Sequence, residues 1–366
     1  MPSGDASALR PYDALLLVSF GGPERPDDVI PFLRNVTRER DTPDERLREV
    51  GSHYFAFGGR SPINDQNRAL VAAVEEELTS HGLELAVYWG NRNWDPFLRD
   101  VLAKMAADGI ERAACLVTSA YSSYSGCRQY REDLAEAVAG VPGAPRLDKL
   151  RVYFNHPGFV EPMVDSTLAA LARLPERARR DAQLVFVTHS IPEAMNQTAG
   201  PEGSAYVEQH RSVVELVVER VREETGHRHP SSLVFCSRSG RPEVPWLEPD
   251  VNDELQKLRA AGLEGAVLVP IGFVSDHMEV RYDLDTEALK TAAELGLPCE
   301  RAATAGLDPR FVGMVRQLLL ERAANERGES PSRPALGALP AAWDRCPAHC
   351  CANLRGDRPA LCGTDA

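Results

Sequence analysis

The sequence predicts an α/β protein of two similar halves, each a parallel four-stranded sheet flanked by helices. Two observations carry this. Eight short apolar runs lack polar alternation, as strands covered on both faces do. Between them lie longer stretches with helical spacing, and a regular strand–helix alternation builds doubly wound, Rossmann-like sheets. A chain of 366 residues is long enough for two such halves.

In order, the first half has expected strands at 13–20, 83–90, 111–119 and 150–155, with helices at 67–81, 96–108 and 129–139. The second half has strands at 182–190, 232–237, 264–273 and 298–304, with helices at 161–174, 205–225, 249–261 and 276–295. A last helix at 311–324 closes it. The expected organisation is a first half over 12–155, a second over 156–325, and a remainder over 326–366. That remainder opens with a Pro-, Gly- and Ser-rich connector, expected to be poorly structured, and ends in a cysteine-rich tail. No repeat of solenoid length is visible.

Charge and motifs exclude several classes. The 41 basic residues against 54 acidic ones leave a net charge of −13, the wrong sign for a phosphate-tracking nucleic-acid protein. No apolar run approaches the roughly 20 residues that span a bilayer. The N-terminal segment lacks a secretion pattern, so a cytoplasmic location is expected. There is no GxGxxG, P-loop or GxSxG, which removes the usual support for dinucleotide, nucleoside-triphosphate and serine-hydrolase chemistry.

Two strand ends carry candidate chemistry. After the strand at 264–273, Ser275 is placed to cap a helix on which Glu279, Asp283 and Glu287 recur every four residues. An arbitrary acidic row is a solvated face. This one starts at the carboxyl end of a parallel strand, where α/β proteins bind ligands, so it can attract divalent cations or pass protons. His277 begins the same element. His189 ends the strand at 182–190 and can meet that carboxylate row as a metal or proton-transfer partner. Three loops of the first half mix glycine, hydroxyl and aromatic residues at 19–29, 54–64 and 118–130. Their aromatic residues can face a flat ligand, with Arg60, Ser61 and Tyr124 binding its carboxylates.

Eight cysteines in a chain of this type argue against a disulfide framework. Cys115 and Cys236 lie in apolar strands and are expected in the core; Cys299 carries no signal. Cys346, Cys350, Cys351 and Cys362 crowd the tail. They can bind zinc, with His349, or an iron–sulfur cluster, or nothing, and spacing alone places zinc first.

HSIP at 189–192 followed by GFVSDHMEVRYDLD at 272–285 resembles the signature of ferrochelatases. LLLVSFGGPERPDDV, FGGRSPIN and SAYSSYSGC match in the same order, so the resemblance spans about residues 12–325. It implies two doubly wound halves around a porphyrin cleft, and insertion of Fe2+ as substrate with release of two protons. His189 and Glu279 then match the catalytic pair, Asp283 and Glu287 form the outward iron and proton path, and His277 supports the site. Phe20, Tyr54, Arg60, Ser61 and Tyr124 are the implied substrate contacts. Phe20 stands where some relatives carry a metal-facing tyrosine, so its loop is expected to pack on the ring.

Some ferrochelatases hold a [2Fe–2S] cluster on one internal cysteine and three near the C-terminus. Cys127 is similar to the internal one; Cys346, Cys362 and one of Cys350 and Cys351 complete the expected set. The segment at 30–54, membrane-facing and apolar in some relatives, is here mostly charged, with Arg34 and Arg38. This favours coproporphyrin III as substrate over protoporphyrin IX. A non-catalytic tetrapyrrole or metal carrier is the alternative of another class.

Overall fold

In the computed structural model, which describes residues 6–39, 42–239 and 243–364, the eight strands form two separate parallel sheets. The first contains β1 (Ala14–Ser19), β2 (Ala86–Asn91), β3 (Arg112–Val117) and β4 (Arg146–Lys149) in the order β2-β1-β3-β4. The second contains β5 (Gln183–His189), β6 (Ser231–Cys236), β7 (Ala266–Val269) and β8 (Cys299–Arg301) in the matching order β6-β5-β7-β8. Helices cover both faces, which is why every residue of β1 is buried and why its sequence lacks alternation. In each sheet the first strand lies between the second and third, so successive connections leave in opposite directions. That reversal opens a crevice at the carboxyl ends of β1 and β3, and another at β5 and β7.

The structure corrects or adds to the expectations at three places. The fourth strand lies at Arg146–Lys149, before the expected 150–155. Leu150 N–H donates to the Cys115 carbonyl at 2.8 Å, and the chain then leaves the sheet. Residues 151–155 are buried all the same, because Tyr153 and Phe154 pack into a core shared by the two halves. An apolar run buried between domains needs no ladder. Second, the charged segment at 30–54 is largely helical, as Val29–Val36 and Asp44–Phe55. Val29, Phe32, Leu33 and Leu47 face inward against Phe20, Tyr54 and Trp94, so the charges occupy the outer face of an amphipathic pair.

Third, the proline-rich connector has no helix or strand between residues 331 and 345, yet it is tightly held. Leu336 N–H donates to the Asn155 carbonyl at 2.8 Å, and Asn155 Nδ2 donates to the Leu339 carbonyl at 2.8 Å. Arg151, buried and paired with Glu321 at 2.6 Å, also donates to the Pro334 carbonyl at 3.0 Å. Proline removes backbone donors but leaves carbonyl acceptors, and buried side chains use them. The helix Pro309–Glu326 packs on both Ile63–Ser80 and Pro157–Arg173, joining the halves through Phe311, Phe159 and Tyr153.

Candidate active site

His189 is the last residue of β5 and stands at the β5/β7 crevice. Its backbone is fixed on several sides. Ser190 N–H donates to the Cys236 carbonyl at 2.8 Å, Ser190 Oγ to the Leu247 carbonyl at 2.8 Å, and Tyr206 Oη to the His189 carbonyl at 2.8 Å. The ring's Nδ1 contacts the Ser190 carbonyl, which assigns the proton to Nδ1. Nε2 is thereby turned toward Glu279, 3.4 Å from Oε1.

Glu279 arrives from β7 through a tight passage. An added Cβ on Gly272 would lie 2.0 Å from Thr188 Oγ1, so only glycine lets the two strand ends approach this closely. Ser275 does not cap a helix as expected. Its carbonyl accepts His277 N–H at 3.0 Å, and helical structure begins at residue 278. From Val280 to Ala288 the backbone is a π-helix, where the sequence pattern predicts an ordinary α-helix. Leu289 N–H accordingly reaches back five residues to the Leu284 carbonyl. A comparable π-segment, Tyr124–Arg128, follows β3 in the first half.

Asp283 lies within electrostatic reach of both Glu279 and Glu287. Burial, the larger effect, and repulsion from Glu279 and Glu287 push Asp283 up to about 7, against the hydrogen bond donated by Ser237 Oγ. Glu279 behaves oppositely. Burial raises it, but the adjoining charge and hydrogen bond of His189, with the nearby His277, more than offset that and bring it down to about 2. Burial disfavours the charged form of His189, and Glu279 outweighs this, so its pKa rises. His277 accepts Glu279 N–H at 3.2 Å on Nδ1 and lies 3.5 Å from Glu279 Oε2. Burial holds His277 down, which favours its neutral form.

Tyr54 joins this group from the first half. Its ring packs edge-on to Phe32 at 5.8 Å, and after burial it is the charges of Glu279 and Asp283 that raise its hydroxyl. His53 on the same helix stacks on Tyr282 at 3.8 Å and 9°, joining the helix to the π-segment. Phe20 packs edge-on to Phe32 at 6.2 Å, with the Arg92 guanidinium 5.9 Å from its ring centroid.

The other first-half candidates are engaged elsewhere. Arg60 pairs with Asp65. Ser61 is buried, its N–H donating to the Pro23 carbonyl at 2.8 Å. Tyr124 Oη donates to Glu132 at 3.1 Å, a carboxylate that also accepts from Arg128 and Asn353. Sequence reasoning missed Ser237, Tyr206, His53 and Tyr282. Ser237 had a usable signal, its position as the last residue of the expected strand at 232–237; Tyr206 is an ordinary helical position with none.

The tail folds back on the first half. Cys127 contacts Cys346, which contacts Cys350, and Cys350 lies 3.8 Å from Cys351. Cys351 Sγ accepts Gly200 N–H at 3.2 Å, and Cys362 Sγ accepts Lys149 N–H at 3.0 Å. Buried Lys149 and Arg131 lie within electrostatic reach of Cys127 and Cys346. Among the described residues, no three or more His, Cys, Asp or Glu side chains are arranged to hold a single metal ion.

The sequence profile of ferrochelatases matches residues 12–323. The chain is similar to the coproporphyrin III ferrochelatase of Streptomyces griseus, 60% identical over 365 residues that cover 97% of each chain. It is also similar to the coproporphyrin III ferrochelatases of Streptomyces coelicolor, 58% identical with 99% of each chain covered, and of Frankia alni, 56% identical with 97% of this chain and 95% of that one covered. A profile that takes in both sheets and the whole His189–Glu279 crevice, with identity above one half along nearly the full length, makes this chain a member of the ferrochelatase family.

Proposed function

We propose that this protein inserts ferrous iron into coproporphyrin III. Two pyrrole N–H bonds break, two protons leave, and iron gains the porphyrin nitrogens without a change of oxidation state. The observation that carries the reading is the His189–Glu279–Asp283 row at the β5/β7 crevice, in a chain whose relatives are coproporphyrin III ferrochelatases. His189 takes a pyrrole proton through Nε2, because Nδ1 is occupied by the Ser190 carbonyl. Glu279, held anionic, stabilises the imidazolium and draws in the cation. Asp283, poised near 7, exchanges the proton onward to Glu287 and solvent. The two carboxylates divide the work, one staying charged and the other changing charge.

The choice of coproporphyrin rests on the relatives and on the segment at 30–54. Its charged outer face suits a substrate with four propionates better than an apolar one. Arg34 and Arg38 are paired with Asp44 at 3.2 Å and Asp133 at 3.0 Å, so a propionate gains either only by displacing a carboxylate. No helix among the described residues is long and apolar enough to cross a membrane.

The tail cysteines fit a [2Fe–2S] centre in their donor chemistry. Cys127, Cys346, Cys362 and one of Cys350 and Cys351 would hold it, and buried Lys149 and Arg131 offset the charge of thiolate ligands. When bound, such a centre supplies structural cross-linking and one-electron exchange. Iron insertion is assigned to His189, Glu279 and Asp283 without it.

The test is an anaerobic absorbance assay with ferrous iron, comparing coproporphyrin III with protoporphyrin IX. Conversion of coproporphyrin by the native protein is expected, with a His189→Ala variant that binds porphyrin but loses turnover by about 100-fold or more. Preference for protoporphyrin overturns the substrate, and binding without conversion of either indicates a carrier.

A further inference from the structure

We infer that Tyr206 is a positioning residue which, with Thr188 and Tyr121, sets His189 against Glu279; this rests on the iron-insertion reading of that pair. The need for such a device follows from the sheet. β5 pairs with β7 only from Gln183↔Ala266 to Phe186↔Val269. The ladder between the two strands ends at Phe186, and His189 lies three residues past that last pair. Gly272 N–H still reaches the Val187 carbonyl, at 3.2 Å, but no strand register fixes His189 relative to the loop that leads to Glu279. A proton transfer across 3.4 Å depends on that relation.

Two buried tyrosine hydroxyls supply it. Tyr206 Oη donates to the His189 carbonyl at 2.8 Å, at the end of β5. Tyr121 Oη donates to the Ile271 carbonyl at 3.0 Å, just beyond β7. Their rings are joined through His210, stacked on Tyr121 at 3.6 Å and 13° and lying 4.4 Å from Tyr206. Since the Tyr206 proton is used on His189, the Thr188 hydroxyl donates to Tyr206 Oη at 2.8 Å, and Thr188 is the side chain that presses on Gly272. The result is a closed circuit from one strand end to the other. All three rings are buried, and Tyr121 belongs to the loop after β3, so the first half takes part in fixing the catalytic pair of the second. His210, whose Nδ1 meets the Tyr206 carbonyl at 2.7 Å, is kept neutral by burial, so the pillar carries no charge change at neutral pH.

Tyr206→Phe removes the hydroxyl and keeps the stacked ring. The matched control is Tyr153→Phe, which deletes another buried hydroxyl, one that donates to the Val117 carbonyl at 3.0 Å at the end of β3. For Tyr206→Phe a fall in kcat of about tenfold is expected, with the porphyrin KM within about twofold, because loosening the pair affects the reaction and not the binding of substrate. Tyr153→Phe should lose a similar amount of thermal stability and keep its kcat. A second measurement does not depend on turnover. Long-range 1H–15N spectra of the imidazoles, with the His189 signals assigned from His189→Gln, should show those signals displaced in Tyr206→Phe and unmoved in Tyr153→Phe. Unmoved His189 signals in Tyr206→Phe, or an equal loss of kcat in both variants, overturn the assignment. If the native protein inserts iron into neither porphyrin, the insertion reading has failed, and the spectra alone decide the positioning role.

Discussion

Replacing Asp283 with asparagine isolates the ionisation on which the proposed proton path depends. The amide keeps the shape and can still accept from Ser237 Oγ, but it cannot ionise. In the native chain burial and the repulsion of Glu279 and Glu287 raise Asp283 from its ordinary 3.8 to about 7. The folded state therefore holds a proton across this window that the unfolded chain has released. The associated stability is fully present below 3.8 and is lost as pH rises through about 7. At about 1.4 kcal/mol per pH unit the whole gap corresponds to about 4 kcal/mol, and partial access to water reduces the expected loss to about 2–4 kcal/mol. Asp283→Asn escapes that loss. Glu279 contributes in the opposite sense, with stability present above 4.5 and lost on falling through about 2, so it does not distort the comparison above pH 4.5. Urea unfolding of both proteins from pH 4.5 to 8.5 should give a stability difference that grows in favour of the variant up to about pH 7 and is then level. The insertion rate of the variant should stay below that of the native protein across this interval. Parallel stability curves would refute the assignment of this ionisation to Asp283.

Gly272→Ala places a methyl group 2.0 Å from Thr188 Oγ1, so the strand ends must separate. A destabilisation of about 1–3 kcal/mol in urea is expected, with a fall in kcat, and an unchanged midpoint would show that the passage is not tight. Cys127→Ser should abolish the visible absorbance and acid-labile sulfide of a [2Fe–2S] centre in anaerobically purified protein. Retention of both would remove Cys127 from the ligand set.

Much of this site could be read from single segments. The continuous apolar runs at β1 and β5 reflect burial on both faces, and parallel pairing places His189 and the residues before Glu279 at carboxyl ends whatever the remaining detail. HSIP and the SDHME stretch are local patterns, so their chemistry was legible before any contact was known. The same applies to the charged outer face at 30–54, although its two helices were not anticipated from that charge.

What required the folded chain is interaction between segments far apart. The run at 150–155 is as apolar as a strand, and only the docking of the two halves decides that it packs between them. Nothing in the sequence indicates that a π-turn replaces an α-turn after Glu279, since the two differ by one residue in a backbone bond. Arg34, Arg38, Arg60 and Tyr124 looked available for a ligand until their carboxylate partners were in place. Tyr121 and Ile271 lie 150 residues apart, and their hydrogen bond exists only because the first half is seated on the second. Sequence by itself determined the type of fold and the family and pointed to His189 and Glu279 as the candidate pair, because burial periodicity and motif chemistry act within a few residues. The tertiary structure decided how that pair is held and which charges surround it, because hydrogen bonds and desolvation depend on what the rest of the chain brings within a few ångströms.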